Sequence, residues 1–177
     1  MAANWNAFVS GDVLTAAQLN GVVDNFADIA IFNETQAAGT NGGLGTTATW
    51  TKRTLNTTVV NNITGCSIAS SVITLATAGT YMAEIAVPFF GVNRCKGRLR
   101  DTTNGTDVVI GKSCYTDAVA GGDESSMGVA TFTIAASTTF ELQYYYQTAG
   151  GATSLGIALT AAGISEIWGV LKITRIA

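Results

Sequence analysis

The stretch TTFELQYYYQ, residues 138–147, decides the fold class of this chain. In an extended strand successive side chains point to opposite faces, so residues two apart share a face. From residue 140 onward, one face of this stretch carries the apolar or aromatic residues Phe140, Leu142, Tyr144 and Tyr146. The other face carries Glu141, Gln143, Tyr145 and Gln147. The pattern predicts a β-strand with one buried side.

Similar short runs follow one another from Trp50 to the C-terminus, rich in β-branched and aromatic residues and divided by turn residues. They include SSVITLATAG, TYMAEIAVPFF, DVVIGKSCYT, SMGVATFTIA and IWGVLKITRI. Short strands without intervening helices predict an antiparallel sandwich or barrel. The pair Asn104-Gly105 suits positive φ and predicts a hairpin between its flanking strands. The only proline, Pro88, indicates an edge position or a bulge.

The bulk composition limits the classes of partner. A chain of 177 residues fits one domain with one core. Charged residues are 12% of the chain, against roughly 25% in a typical soluble domain, while hydrophobic residues are 47%. Part of the surface is therefore expected to be covered by other chains. The net charge of -3 gives no field that attracts nucleic acid, and no uninterrupted apolar stretch is long enough for membrane insertion.

The three cysteines, Cys66, Cys95 and Cys114, are odd in number and lack the spacing of a metal site. This argues against a disulfide framework and predicts three buried free thiols. Neither a metal nor another cofactor is expected. Such a chain fits folding in a reducing cytosol, and its N-terminus has no recognisable export signal.

A different periodicity occupies the N-terminal part of the chain. Thr15 and Gln18 have capping-box spacing, which predicts the start of a helix. The apolar residues that follow have the three-four-three spacing of a coiled-coil stripe ending near Asn33: Leu19, Val22, Phe26 and Ile29. Two interpretations remain open, because such a helix packs either on its own domain or in a bundle of identical helices from neighbouring chains.

These patterns predict a division into three regions. Residues 1–35 are expected to form an N-terminal arm and a helix. Residues 36–49, QAAGTNGGLGTTAT, have the composition of a flexible linker. Residues 50–177 form the β head.

The order of the β segments resembles that of a known family. The residues that carry the resemblance are VITLATAGTYMAEIAV, the hairpin RLRDTTNGTDVVIG, FTIAASTTFELQYYY and the terminal IWGVLKITRI. They resemble the trimeric jelly-roll heads of the complement and tumour-necrosis-factor type, as these also occur in bacteriophage structural proteins. The resemblance implies an all-β antiparallel jelly-roll sandwich, preceded here by the arm and amphipathic helix, and a homotrimer.

A second resemblance concerns the N-terminus. The stretch FVSGDVLTAAQLNGVVDNF is similar to the openings of phage tail-fibre and other virion proteins, in which this segment docks or bundles the subunits. Together the two resemblances imply a virion structural protein made in the host cytoplasm. It would be a capsid decoration or cement protein, or a short fibre, held by other phage capsid or tail proteins. The alternative is a receptor-binding tail-fibre tip, with Tyr115, Tyr145 and Tyr146 contacting a host surface saccharide.

Catalysis has little support in the residue types present. The chain has no histidine, which removes the usual general base and the common metal ligand. Asp117, Asp123 and Glu124 lie close together in YTDAVAGGDESS. A solvated acidic loop explains them better than a sugar-cleaving carboxylate pair or a calcium loop. We therefore expect no enzymatic activity.

One strand is strongly polarised. Its basic residues alternate with small or apolar ones and are Arg94, Lys96, Arg98 and Arg100. Either this is an exposed face or an edge protected by charge, or it contacts an acidic capsid subunit or an anionic glycan.

The N-terminal arm offers a second candidate contact. Trp5 and Phe8, with Val9, are large apolar residues of the kind that anchor interfaces, so the arm is a candidate attachment site. Folding back under the head is the alternative, which Gly11 disfavours.

Overall fold

The computed structural model describes residues 28–159 and 163–176, which form two antiparallel β-sheets packed face to face. The predicted attachment residues Trp5, Phe8 and Val9 and the predicted helix residues Leu19, Val22 and Phe26 lie outside the described residues. In chain order the strands are β1 (Ile29–Gln36), β2 (Thr51–Lys52), β3 (Thr57–Asn61), β4 (Cys66–Ala69), β5 (Val72–Leu75), β6 (Gly79–Phe90), β7 (Asn93–Asp101), β8 (Thr106–Ile110), β9 (Cys114–Thr116), β10 (Asp123–Ile134), β11 (Thr138–Tyr146) and β12 (Glu166–Arg175). A 3-10 turn, Gly151–Thr153, precedes β12.

The strand order is that of a jelly roll. The five-stranded sheet has the order β10-β6-β12-β1-β3, so strands distant in sequence lie side by side. The seven-stranded sheet has the order β4-β5-β11-β7-β8, with β2 also pairing with β11 and β9 with β7. The predicted all-β antiparallel jelly-roll sandwich is confirmed. No helix of the described residues is long and apolar enough to cross a membrane.

The core lies between the sheets and is formed by the alternate residues of each strand. On β11, Phe140, Leu142 and Tyr146 are fully buried and Tyr144 nearly so, as the period-two pattern predicts. Strands β6 and β12 add further buried residues from the opposite sheet, among them Tyr81, Ile85, Val87, Phe89, Leu171 and Ile173. Because each strand buries one face only, the outward faces of both sheets are free to carry function.

The predicted hairpin joins β7 and β8, which pair with Asp101 opposite Thr106. Of the pair Asn104-Gly105, only Gly105 has positive φ, at 69°. The Asp101 carboxylate accepts hydrogen bonds of 2.8 Å from the backbone N–H and the side-chain amide of Asn104. A four-residue loop capped by Asp101 therefore replaces the tight two-residue turn.

Pro88 lies in the part of β6 that has a neighbour on one side only. It is opposite Ser125 of β10, whereas the pairing of β6 with β12 stops at Ala86. A missing N–H is tolerated there, as expected for a proline at an edge.

The helix predicted from the sequence does not extend to Asn33, so the prediction is wrong at its C-terminal end. Ile29 begins β1, which pairs with β12 on one side and β3 on the other. Ala30 and Phe32 are fully buried while Ile29 and Ile31 are partly exposed, so this segment follows a period of two. The sequence is ambiguous because Ile29 fits both the helical stripe and the strand alternation, and tertiary pairing decides between them.

The segment 36–49 is part of the sandwich and does not serve as a flexible linker. Gly42 donates a 2.9 Å backbone hydrogen bond to Gly156, and the Trp168 indole N–H donates one of 3.0 Å to the Thr40 carbonyl. A Cβ on Gly42 would collide with the Leu155 carbonyl oxygen, so glycine here permits close packing. The described head therefore begins at Ile29, not at Trp50.

A buried ion pair joins the two sheets. Glu34 of β1 lies 2.7 Å from Arg53, which follows β2, and both side chains are almost completely buried. The Arg53 guanidinium also donates to the Trp168 carbonyl at 2.8 Å. Burial raises the pKa of Glu34 and lowers the pKa of Arg53, against the attraction between the two charges. Neither residue stands out in the sequence as a core position.

Candidate functional site: the charged and apolar sheet faces

The outward face of the seven-stranded sheet, here called the charged sheet face, is centred on β7. Arg94, Lys96, Arg98 and Arg100 alternate along this strand with the buried residues Cys95, Gly97 and Leu99. The predicted alternation of outward basic residues and inward small or apolar residues along this strand is confirmed. The edge interpretation is wrong, because β7 pairs with β11 on one side and with β8 and β9 on the other.

Two of the four basic residues have partners that hold them in place. Arg98 donates to Gln143 at 2.7 and 2.9 Å and to Asp107 at 3.1 Å. Its guanidinium also lies 3.9 Å from the centre of the Trp50 ring, and Arg100 lies 2.9 Å from Asp107. These contacts orient Arg98 and Arg100, and the shared Asp107 carboxylate offsets part of their charge, so their role is to build the face.

The other two basic residues line an open pocket of about 370 Å³, here called the basic pocket. It lies where β9 pairs with β7, and it is lined by Arg94, Cys95, Lys96, Ser113, Cys114, Tyr115, Glu124, Tyr145 and Gln147. Within the described ranges 28–159 and 163–176, neither Arg94 nor Lys96 has a carboxylate within 4 Å. The pocket therefore presents two cations to solvent.

Among the described residues that line the basic pocket, the carboxylate is that of Glu124, and it already has a partner. Glu124 lies 2.6 Å from the Lys112 ammonium and accepts a hydrogen bond of 3.3 Å from the Tyr115 N–H. The Lys112 hydrogen bond lowers the pKa of Glu124, and the same contact raises the pKa of Lys112. Because Lys112 compensates Glu124, the charge of Arg94 and Lys96 dominates the pocket.

Aromatic rings flank the basic residues. The predicted contact residues Tyr115 and Tyr145 both line the basic pocket, and Tyr115 is 59% exposed. Trp50 packs against Tyr145 with ring centres 5.5 Å apart. The third predicted contact residue, Tyr146, is fully buried in the core, so its assignment to a saccharide site is wrong. Adjacent residues of a strand face opposite sides, and Tyr145 takes the outward one.

The acidic loop has structural roles. The Asp117 carboxylate accepts 2.7 and 2.9 Å hydrogen bonds from the N–H groups of Val119 and Ala120, which lower its pKa. Partial burial raises the pKa of Asp123. Among the residues that the structure describes, no group of three acidic or cysteine side chains could hold a metal ion.

Cys95 and Cys114 lie directly opposite each other on β7 and β9, and their sulfur atoms are 3.3 Å apart. The Cys95 thiol donates toward the Cys114 sulfur, which lowers the pKa of Cys114 and raises the pKa of Cys95. All three cysteines are buried free thiols, as predicted. The pair cannot be predicted from the sequence, because spacing along the chain does not reveal the register between strands.

The outward face of the five-stranded sheet has the opposite character and is here called the apolar sheet face. Its cross-strand rows are largely uncharged, and its apolar members are Ile31, Met82, Ala86, Met127, Val129 and Val170. Met127 and Val129 are 59% and 64% exposed. Among the described residues, the charges in its central rows are Glu84 and Lys172, which pair with each other at 2.6 Å.

Comparison of whole structures places this architecture among known folds. The crystal structure of murine APRIL at pH 8.0 matches with a TM-score of 0.51 and 13% identity, over 83% of this chain and 98% of that one. The globular domain of zebrafish complement 1qA protein matches with a TM-score of 0.51 and 13% identity, over 84% and 95%. The chain has a jelly-roll fold of the tumour-necrosis-factor and complement C1q type.

The murine APRIL structure at pH 5.0 is also similar, with a TM-score of 0.53 and 9% identity, over 83% of this chain and 97% of that one. Sequence comparison finds no matching protein family and no matching curated protein. The likeness therefore lies in the fold alone.

Proposed function

We propose that this chain is a non-enzymatic, homotrimeric structural protein of a bacteriophage virion. Its heads associate through the apolar sheet face, and its N-terminal arms attach the trimer to other virion proteins as a capsid decoration or short fibre. The observation that carries self-association is the apolar sheet face itself, which leaves large side chains such as Met127 and Val129 in solvent in a single chain.

Two properties of this face favour a second copy of the chain as its occupant. Glu84 and Lys172 neutralise each other, so covering them does not leave an isolated charge. Extended apolar surface on a chain with few charges is typical of surfaces between subunits. Self-association also agrees with the resemblance to jelly-roll heads that form trimers.

The test of self-association is the oligomeric state of two matched variants. Val129→Glu places a charge in the apolar sheet face and should convert trimers to monomers at micromolar concentration, as measured by light scattering after gel filtration. Val119→Glu is the same substitution in a loop, at a residue 98% exposed, and should leave the trimer intact. A monomeric unmodified protein, or a trimeric Val129→Glu variant, contradicts this interface.

Attachment to the virion is the part of the proposal supported by the N-terminal sequence. Trp5→Ala with Phe8→Ala removes two large apolar anchors, each contributing on the order of 2 kcal/mol or more if buried at an interface. The double variant should keep its trimer and its β spectrum, yet fail to bind virions that lack the native protein. Leu19→Asp should instead weaken the trimer, because it places a charge in the proposed helix bundle. Unchanged binding by the arm variant would contradict attachment through the arm.

The basic pocket favours a second candidate function, a receptor-binding tail-fibre tip that recognises an acidic saccharide of the host surface. Arg94 and Lys96 suit carboxylate or sulfate groups, and Tyr115 and Tyr145 add apolar contact and hydroxyl groups. Binding of labelled protein to an immobilised acidic polysaccharide should fall at least tenfold on Lys96→Glu. Lys52→Glu, on the same sheet face outside the pocket, is the control. Binding to bare capsids rather than to host cells would favour decoration over receptor recognition.

A further inference from the structure

Cys95 and Cys114, the two cysteines at the basic pocket, are placed closely enough to form a disulfide bond. Cys95 and Cys114 occupy paired positions on neighbouring antiparallel strands, with their sulfur atoms 3.3 Å apart. A disulfide requires about 2.05 Å between sulfurs and paired Cα atoms within about 7 Å. Small side-chain rotations are sufficient to close the remaining gap, since the strands already hold the two residues together.

The third cysteine provides a contrast within the same chain. Cys66 begins β4, at the far edge of the same sheet, and β5 and β11 separate β4 from β7. Burial raises the pKa of Cys66 to about 11, which disfavours its thiolate. In contrast, the hydrogen bond from the Cys95 thiol lowers the pKa of Cys114. The Cys114 sulfur is also the one that accepts the hydrogen bond from its neighbour, so we assign the attack to Cys114, because the thiolate is the reactive form.

Both paired residues are buried, and they also form part of the wall of the basic pocket. Cys95 and Cys114 line the basic pocket, which opens to solvent beside Arg94 and Lys96. The lysine and glutamate next to the cysteines, Lys112 and Glu124, pair with each other. The uncompensated positive charge at the opening should attract a reagent that carries carboxylates.

We propose that Cys95 and Cys114 form a redox-active pair that closes to an intramolecular disulfide when an anionic small-molecule disulfide enters the basic pocket. The Cys114 thiolate attacks one sulfur of the reagent, whose other half leaves as a thiolate. Cys95 then loses its proton to that thiolate and attacks the Cys114 sulfur, which releases the second half. The two protein thiols lose two electrons and two protons, and the small disulfide is reduced to two thiols.

The bond would connect two walls of the basic pocket. Strand β9 is three residues long and lies at the end of the connection from β8, while β7 lies inside the sheet. Closure of the loop between residues 95 and 114 reduces the entropy of the unfolded chain, and it fixes Tyr115 relative to Arg94 and Lys96. We expect the midpoint of thermal unfolding to rise by about 5–10 °C on oxidation.

The first experiment uses the full chain and oxidised glutathione as the probe. Free thiols counted after denaturation should fall from three to one, and the protein should be lighter by two hydrogen atoms with no glutathione attached. Non-reducing peptide mapping should recover a linked peptide with Cys95 and Cys114, and a reductant should restore all thiols. Three retained thiols, or a bond that involves Cys66, would overturn the proposal.

Single cysteine substitutions distinguish the thiol that attacks the reagent, Cys114, from the thiol that completes the disulfide, Cys95. Cys66→Ser should still lose two thiols at the unmodified rate. Cys95→Ser should accumulate glutathione on Cys114, because the resolving thiol is missing, whereas Cys114→Ser should react far more slowly. Equal reaction of the two single variants would contradict the assignment of Cys114 as nucleophile. The linked peptide of the unmodified chain keeps the test decisive if a variant does not fold.

The entry route has its own test. Oxidised glutathione is anionic and cystamine is cationic, so the ratio of their rates reports on the charge at the opening. Arg94→Glu with Lys96→Glu should lower this ratio on the order of tenfold or more at low salt. Arg100→Glu, on the same strand but outside the pocket, should change it much less. An unchanged ratio in the double variant would exclude the basic pocket as the route.

Discussion

The two outward faces of this sandwich differ more than the two sheets that carry them. Both sheets bury alternate residues against one core, yet the charged sheet face displays basic and aromatic side chains while the apolar sheet face displays Met127, Val129 and Val170. Since the core needs only the inward residues, the outward ones are free to differ. This difference is the basis for proposing contact with further copies at the apolar sheet face and contact with anionic groups at the charged sheet face.

Removal of the first strand should have the largest effect on the folded sandwich, because β1 contributes both to the core and to the apolar sheet face. Deletion of residues 1–27 should preserve the β spectrum in far-ultraviolet circular dichroism. Deletion of residues 1–36 should abolish it, since β1 lies between β12 and β3 and buries Phe32 completely. A folded product of the longer deletion would show that β1 is dispensable to the head.

The ion pair between Glu34 and Arg53 couples the two sheets, and its loss should have the next largest effect. Glu34→Ala leaves the buried Arg53 charge without its partner and should lower the free energy of unfolding by about 3–5 kcal/mol. The double replacement Glu34→Leu with Arg53→Met removes both charges and should cost much less. Denaturant titration measures both. If the single and double variants lose the same free energy of unfolding, packing and not charge dominates at this position.

On the charged sheet face, the structure separates supporting cations from free ones. Arg98→Ala removes the contacts with Trp50, Gln143 and Asp107 and should lower the free energy of unfolding by about 1–2 kcal/mol. Arg94→Ala should change it by no more than about 0.5 kcal/mol. Denaturant unfolding measures both differences, and a larger loss for Arg94 would contradict the division of this strand.

The smallest expected effect is a difference between the two faces in how their binding depends on salt concentration. The Debye length falls from about 10 Å at 0.1 M ionic strength to about 3 Å at 1 M. Binding of an acidic polysaccharide to the charged sheet face should therefore weaken, while self-association through the apolar sheet face should stay constant or tighten. Parallel titrations with sodium chloride, read by polysaccharide binding and by light scattering, provide the comparison. Salt-induced dissociation of the trimer would argue for a charged interface.

Local patterns along the chain predicted the parts that depend on neighbouring residues. The alternation of β7 and β11, the hairpin at Gly105 and the burial of the three thiols follow from side-chain type and period. The helix prediction at Ile29 failed because a short apolar segment satisfies both periods. The linker prediction for residues 36–49 failed because small polar residues also suit a close backbone approach, as at Gly42.

By itself, the sequence determined that the head of this chain is all-β and without histidine chemistry, and that its strands each have one apolar side. These properties depend on residue type and on the two-residue period of an extended chain. Tertiary structure decided which strands are neighbours and in which register. That decision brought Cys95 to Cys114, placed Tyr145 rather than Tyr146 at the basic pocket, and aligned Met127, Ala86 and Val170 in one row. The physical reason is that pairing between distant segments depends on the packing of the whole core, which no local window of the sequence contains.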